Sequence, residues 1–296
     1  RDFKRSSMEQ IIVNGLYLGA QYALIALGLT LIFSLMNVLN FAHGQMYVLG
    51  GFITYTVVAQ FELPFIVGLF FSALVLALVG ALVEKYLFRP VIKKSRREES
   101  TMLLAAGIAF FLDAVILLLF GEKQRGVPKI IDGVLNWDFI VVMPYDRILI
   151  GGLAILMIAA FILFMQYSRA GRAMRALAQD KVAATLMGVA VDRYAMLGFA
   201  LGAALAGLVG GLLVTITGIN LGMGGPASIK AFMMIMIGGA GVISGAIAGG
   251  FILGMMESVG LTVLSEYGDI TYLVIFASLM VFLSFRPQGL MGKPWG

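Results

Sequence analysis

"AFMMIMIGGAGVISGAIAGGFILGMMESVGLTV", residues 231–263, is apolar apart from Glu257 and a few hydroxyl side chains, and a glycine cluster interrupts it near its start. Whether this run forms one membrane helix or two sets the number of crossings in the chain, and with it the fold. The answer comes from the sidedness of the segments around it.

Composition gives the class. The chain is 60% hydrophobic and 12% charged with a mean hydropathy of +0.98, far above the roughly 45 to 50% apolar content of soluble domains. No residue between Glu9 and Glu62 is charged, nor any between Tyr194 and Ile229, and about 20 apolar residues span the hydrocarbon as a helix. These features predict an all-α, polytopic integral membrane bundle of about 8 to 10 helices, some of them discontinuous, folded as a single transmembrane domain over 1–296. A β-barrel is excluded, because its strands alternate in polarity every second residue and these runs do not. With no cysteine in the chain, disulfides and thiolate metal sites are excluded too. The stretch from Ile11 lacks a small-residue cleavage site and leads into further spans, so it reads as a retained helix, with Met8 a candidate start.

Apolar runs fall at about 11–33, 43–60, 64–88, 102–120, 148–167, 195–217, 231–263 and 270–285. The basic segments "RPVIKKSRREES" (89–100), "SRAGRAMRALAQDK" (168–181) and "RPQGLMGKP" (286–294) are expected on the cytoplasmic side. The segment 121–147, with Trp137 and Tyr145, then lies outside. The small net charge of +5 suits an anionic leaflet rather than nucleic acid.

Parity now decides the opening run. The loop after 195–217 is outside and the tail inside, so an odd number of crossings separates them. Counting 231–263 as one helix gives two crossings; splitting it at "GGAGVISG" (238–245) gives three, and glycines are where a chain in lipid can turn. At the other end the three runs before residue 89 put the N-terminus outside, against the preference of "RDFKR". Either those charges lose, or a helix within 11–60 breaks part-way.

That break falls at "NVLNFAHGQM" (37–46), which holds the only histidine of the chain. A second interruption, "GINLGMGGP" (218–226), stands in the other half. Paired interruptions point to a transporter site, because freed amides and carbonyls can meet a polar solute inside the bundle. The candidate path residues are Asn37, Asn40, His43, Gly44, Asn220 and Gly222. For His43 two roles stay open: hydrogen bonding to a neighbouring helix to hold the break, or contact with the solute. Intramembrane charges are functional candidates by default. Asp113 is expected to face the bundle interior, whereas Lys230 and Glu257, nearer the ends of runs, are expected to snorkel to the interface.

Glycines recur every fourth residue at Gly241, Gly245 and Gly249, with further pairs at Gly250 and Gly254 and at Gly207 and Gly211, a spacing that lets helix backbones approach closely. Residues 168–194 read as a short amphipathic helix pair outside the bilayer, carrying Arg172, Arg175, Leu177, Ala183, Ala184 and Leu186, a surface suited to a partner's groove. No HExxH, GxSxG or GxxxxGK[ST] motif occurs, so neither a metal centre, a catalytic partner for His43 nor ATP hydrolysis by this chain is expected, and the chain is not an enzyme.

"VAATLMG" (182–188) resembles the Ala-Ala-three residues-Gly pattern in the cytoplasmic loop of ABC importer permeases, with Ala183, Ala184 and Gly188, although the usual leading glutamate is Val182 here. Together with "GLYLGAQYALIALGLTLIFSLMNVLNFAHGQMYVLGG" (15–51), "GRAMRALAQDKVAATLMGV" (171–189), "KAFMMIMIGGAGVISGAIAGGFILGMMES" (230–258) and "FRPQGLMG" (285–292), it makes the chain similar to the LivH-type permeases of high-affinity branched-chain amino-acid ABC importers. The resemblance implies a multi-pass permease subunit in the bacterial inner membrane, surrounded by lipid, with no cofactor. It also implies a second homologous permease as heterodimer partner, two ATP-binding cassette subunits and a periplasmic solute-binding protein. Residues 168–194, including Arg172, Arg175, Asp180, Ala183, Ala184 and Gly188, would couple to the ATPases, and Asn40, His43 and Gly44 carry over to the path. Relatives that move urea or short amides share "AHG" and stand as the alternative.

Overall fold

The computed structural model describes residues 2–95, 98–137, 141–263 and 268–292. Seven of its helices are long and apolar enough to cross a membrane. The chain is a multi-pass membrane protein. A long first helix, α1 (Asp2–Met36), is followed by α2 (His43–Tyr55), which continues as a π-helical turn over Thr56–Gln60. Next come α3 (Phe65–Val83), a second π turn (Glu84–Phe88), α4 (Arg89–Lys94) and α5 (Glu98–Phe120). A two-stranded antiparallel hairpin, β1 (Val134–Trp137) and β2 (Val141–Pro144), leads into α6 (Tyr145–Tyr167). The second half holds α7 (Arg169–Gln179), α8 (Lys181–Leu186), α9 (Val191–Leu213), α10 (Gly224–Gly238), α11 (Ile243–Val263) and α12 (Gly268–Phe285).

The basic segments that the charge pattern puts on one side gather at one end of the bundle. Lys93 of α4 pairs with Asp192 at the start of α9 at 2.5 Å. Met174 and Arg175 of α7 share a cavity with Ser34, near the end of α1, and with Gly241 and Val242. In the tail, the Leu290 and Met291 amides donate to the Ile237 and Gly238 carbonyls at the end of α10. Lys293 and Pro294, and residues 96–97 of the first basic loop, lie outside the described residues. At the opposite end Gln10 of α1 accepts from the Val142 amide of the hairpin at 2.9 Å, and Arg125 and Ile219 exchange backbone hydrogen bonds of 2.9 and 2.7 Å. The start of α1 is therefore on the side away from the basic loops, and the charges of the N-terminal segment do not decide its placement.

The run 231–263 is two helices, as an odd number of crossings requires. α10 ends at Gly238, the chain turns through residues 239–242 with Gly239 (φ 107°) and Gly241 (φ 80°) in the left-handed region, and α11 returns. Gly241, read from its spacing as part of a packing stripe, belongs to this turn instead. A side chain there would meet nothing closer than 3.7 Å, so its constraint is backbone conformation rather than crowding.

The other stripe glycines lie at helix contacts. A Cβ at Gly249 would lie 2.1 Å from the Met234 carbonyl oxygen, one at Gly245 2.3 Å from that of Gly238, and one at Gly211 2.5 Å from Thr54 Oγ1. Gly207 receives Gly50, whose Cβ would stand 2.3 Å from the Gly207 Cα. Along α1 and α11, Gly254 would collide with Gly19 and Gly250 with Ala23, in both cases at 2.4 Å from a backbone nitrogen. Backbones in lipid have no hydrophobic force to join them, so van der Waals contact at this range supplies the attraction. The contacts make α1 the central element: 83% of its apolar window is buried, against 22% for α5 on the lipid-facing rim.

Gly250→Val should cost at least about 1 to 3 kcal/mol through overpacking against the Ala23 backbone, seen as a lower melting temperature in detergent or loss of folded protein. Gly152→Ala, where nothing lies within 4 Å, should be neutral or stabilising by up to about 1 kcal/mol. Equal melting of Gly250→Val and the parent would remove the close-packing explanation for α1 and α11.

Candidate functional site

α1 stops at Met36, and Asn37 takes a left-handed conformation (φ 55°) that turns the chain back into the bundle. Six residues later α2 starts with His43, whose Nε2 lies 3.2 Å from the Ile25 carbonyl oxygen and whose ring stands 3.0 Å from where a Gly28 Cβ would sit. Gly28 is eight residues short of Met36, roughly 12 Å at 1.5 Å per residue. α2 thus begins inside the bundle and runs back to the end where α1 began, where Arg125 stands over the Tyr55 ring. The break expected at the polar interruption 37–46 is a helix that restarts part-way, while the parity of the first region is met by the N-terminal charges losing.

Restarting a helix away from water leaves amides that protein must satisfy. The Asn40 side-chain oxygen accepts from Ala42 N at 3.1 Å, the Asn40 carbonyl from His43 N at 3.2 Å, and Ser228 Oγ of α10 from Gly44 N at 2.9 Å. Ser228 then donates to the Phe41 carbonyl at 3.0 Å, so one hydroxyl ties both the last part of the gap and the start of α2 to α10. Since Ile25 offers only an acceptor, His43 Nε2 carries the ring proton, and Nδ1 is left buried with no partner. His43 and Asn40 are fully buried. The histidine is positioned to hold the break, and no cavity wall includes it among the described pockets.

The second interruption meets the first. Residues 214–223 form a loop and a short 3₁₀ turn (Leu221–Met223), and α10 begins at Gly224. A Cβ on Gly44 would lie 1.9 Å from the Gly224 carbonyl oxygen, and one on Gly224 2.6 Å from Gln45 Nε2. At position 44 only glycine lets the starts of α2 and α10 touch, because the clash there is with backbone, whereas at 224 a side chain would have to displace the end of Gln45. The six candidate path residues are nonetheless divided: Asn40, His43 and Gly44 sit at this contact, Asn37 is exposed at the end of α1, and Asn220 and Gly222 line a cavity of about 540 Å³ beside it.

That cavity holds the two charges expected to snorkel. They do not reach the interface. Lys230 Nζ lies 2.9 and 3.0 Å from the Glu257 carboxylate oxygens, and their side chains are 23% and 6% exposed. Pairing across α10 and α11 wins because a charge with a partner in reach avoids the larger cost of isolation in a dry bundle. Asp113 of α5 faces inward as expected, accepting from Gln45 Nε2 at 3.3 Å.

Residues 168–188 form the helix pair. Arg172 and Arg175 donate to the Tyr167 and Gln166 carbonyls at 2.7 and 3.1 Å, which caps the end of α6. Asp180 accepts from Val182 N and Ala183 N at 2.8 and 2.9 Å as the N-cap of α8. Gly188 (φ 83°) closes that helix, and Ala184 packs inward. These residues shape the segment, whereas its outward surface is Val182, Leu186 and Met187, exposed by 71, 83 and 86%. Leu186 is already legible in the sequence as part of a partner-facing surface, whereas Ser228 and the exposure of Val182 and Met187 beside Leu186 escaped sequence reasoning. Apolar residues on a charged segment were the available signal for that exposure, and a serine four residues into α10 gave none for its partner.

A family model described as the permease component of branched-chain amino acid transport systems matches residues 11–283. The chain is 35% identical to the high-affinity branched-chain amino acid transport system permease protein BraD of Pseudomonas aeruginosa, over 96% of both chains. It is 34% identical, with the same coverage, to the corresponding permease protein LivH of Escherichia coli. Similarity extends to the probable branched-chain amino acid transport permease protein LivH of Methanocaldococcus jannaschii, at 29% identity over 97% of this chain and 94% of that one. Among solved structures, PsaBC from Streptococcus pneumoniae in complex with Fab contains a chain that matches with a TM-score of 0.50 and 14% identity, covering 92% of this chain and 91% of that one. That likeness concerns the fold alone.

Ser228→Ala should leave the Gly44 amide and the Phe41 carbonyl unpaired in a buried place, at about 1 to 3 kcal/mol for each group left unsatisfied. Faster hydrogen–deuterium exchange in peptides covering 37–46 is the expected readout. Unchanged exchange there would mean that the hydroxyl does not hold the break.

Proposed function

This chain belongs to the permease-component family of branched-chain amino acid transport systems, and we propose from that premise that it passes branched-chain amino acids through the inner membrane as one subunit of an ABC importer. A second homologous permease pairs with it, two ATP-hydrolysing subunits dock on the face that carries α7 and α8, and a solute-binding protein delivers the amino acid on the hairpin side. The observation that carries the reading is the meeting of two interrupted helices inside the bundle, α2 and α10, in a chain of this family. Backbone freed from helical hydrogen bonding, next to a cavity with polar walls, is how a membrane bundle offers a small solute a route. The names of the relatives favour branched-chain amino acids over urea or short amides.

On this reading ATP binding closes the two ATPases, which draws the docked segments together and rocks the permeases about the contact between α2 and α10. Val182, Leu186 and Met187 supply the apolar knobs of that docking surface. The α6 caps made by Arg172 and Arg175 keep the segment at a fixed angle to the bundle, so that force on α8 reaches α6. His43, anchored on Ile25, ties α2 to α1 during the movement and carries the candidate path residues Asn40 and Gly44 with it.

Leu186→Asp should lower substrate-stimulated ATP hydrolysis and uptake roughly tenfold or more in the assembled complex, the scale of losing a buried interface anchor. Stimulation at the parent level would place docking elsewhere. His43→Ala should impair uptake more than assembly; normal uptake by a fully assembled variant would reduce the histidine to packing.

A further inference from the structure

The ion pair in the bundle asks for an explanation that stability does not supply. Lys230 Nζ donates to both oxygens of Glu257 and, at 2.6 Å, to the Tyr22 hydroxyl. Tyr272 donates to Glu257 Oε1 at 2.9 Å, and Tyr22 donates to Oε2. The ammonium stands 4.9 and 5.0 Å from the centroids of the two tyrosine rings. Replacing such a buried pair by apolar residues of similar volume is often neutral or stabilising, so packing alone gives no reason for it.

Its location does. Glu257 is fourteen residues beyond Ile243, the start of α11, and Tyr22 fourteen before Met36, the end of α1. Both offsets amount to roughly 21 Å from the basic end, past the middle of a hydrocarbon core about 30 Å thick. The pair forms one wall of the 540 Å³ cavity, within the size range of small-molecule sites. The remaining wall includes apolar Leu18, Ile25, Leu213 and Met223. Gln21, 1% exposed and also on the cavity wall, has a side-chain nitrogen with no hydrogen-bond acceptor.

We infer that this cavity binds the zwitterionic head of an α-amino acid on the outer side of the route, with Lys230 taking the carboxylate and Glu257 the ammonium. The inference rests on the transport reading above. The Gln21 amide gains an acceptor in the carboxylate, and the aliphatic side chain lies on Leu18, Ile25, Leu213 and Met223. Without solute the two protein charges neutralise each other. A zwitterion replaces one ion pair by two and adds no net charge to the bundle, whereas a plain amine or carboxylate satisfies one protein charge and strands the other. An uncharged solute offers neither.

The test compares leucine with its two single-charge analogues, 3-methylbutylamine and 4-methylpentanoate, for binding to the assembled complex without its solute-binding protein, by calorimetry or saturation-transfer NMR. Leucine should bind about tenfold or more tighter than either, the scale of one charge-assisted hydrogen bond. Glu257→Gln should erase its advantage over 4-methylpentanoate, and Lys230→Met its advantage over 3-methylbutylamine. Leucine binding no tighter than the analogues, in a complex that imports leucine once the solute-binding protein is added, overturns the inference and leaves the transport reading standing. A complex that imports no leucine at all overturns the transport reading itself. Because the comparison of ligands uses the unsubstituted complex, it decides the matter even where the variants fail to assemble.

Discussion

A helix that stops inside a membrane protein must have its freed backbone groups satisfied by protein, because lipid offers no hydrogen bonds. In this chain the six-residue gap between α1 and α2 meets that demand with few groups: the Asn40 side chain, the Ser228 hydroxyl and the backbone of residue 40. The rest follows from bringing them together. Ser228 can reach Gly44 only if α10 starts beside α2, which needs glycine at 44. His43 reaches Ile25 beside Gly28, where a Cβ would crowd the ring at 3.0 Å and the Gly202 carbonyl oxygen at 2.7 Å.

Close approach also organises the surrounding helices. α1 lies against α11 through Gly15, Gly19, Gly250 and Gly254, and α9 lies against α2 and α3 through Gly50, Gly207 and Gly211. These contacts place small residues at the centre of the bundle and leave the large apolar side chains of α5 and α12, such as Phe110, Leu118 and Leu273, turned outward. Outward Leu and Phe are ordinary in a membrane protein, since lipid is as apolar as they are. Among the small residues inside stands the pair of Lys230 and Glu257, facing a cavity.

The amphipathic segment divides into shape and surface. The charge pattern singled out Arg172 and Arg175, and the resemblance to importer permeases added Asp180 and Gly188; each turns out to be a terminator or starter of a helix. Such residues are legible as punctuation because capping chemistry is local. The exposed Val182, Leu186 and Met187 look unremarkable in a chain rich in aliphatic residues, and only their position on the far side of α8 separates them from core.

The sequence by itself determined the class of fold, the placement of the spans, the end at which the basic loops gather and the turn between Gly238 and Gly245. Each of these depends on hydropathy or charge summed along the chain, which a bilayer reads directly. Only the tertiary structure decided that Lys230 finds Glu257 rather than the interface, that Ser228 closes a gap 184 residues away, that Gly241 serves a turn, and that the two interruptions touch. Those outcomes turn on which helices become neighbours. A helix's own periodicity shows which faces it offers, but not what will lie against them.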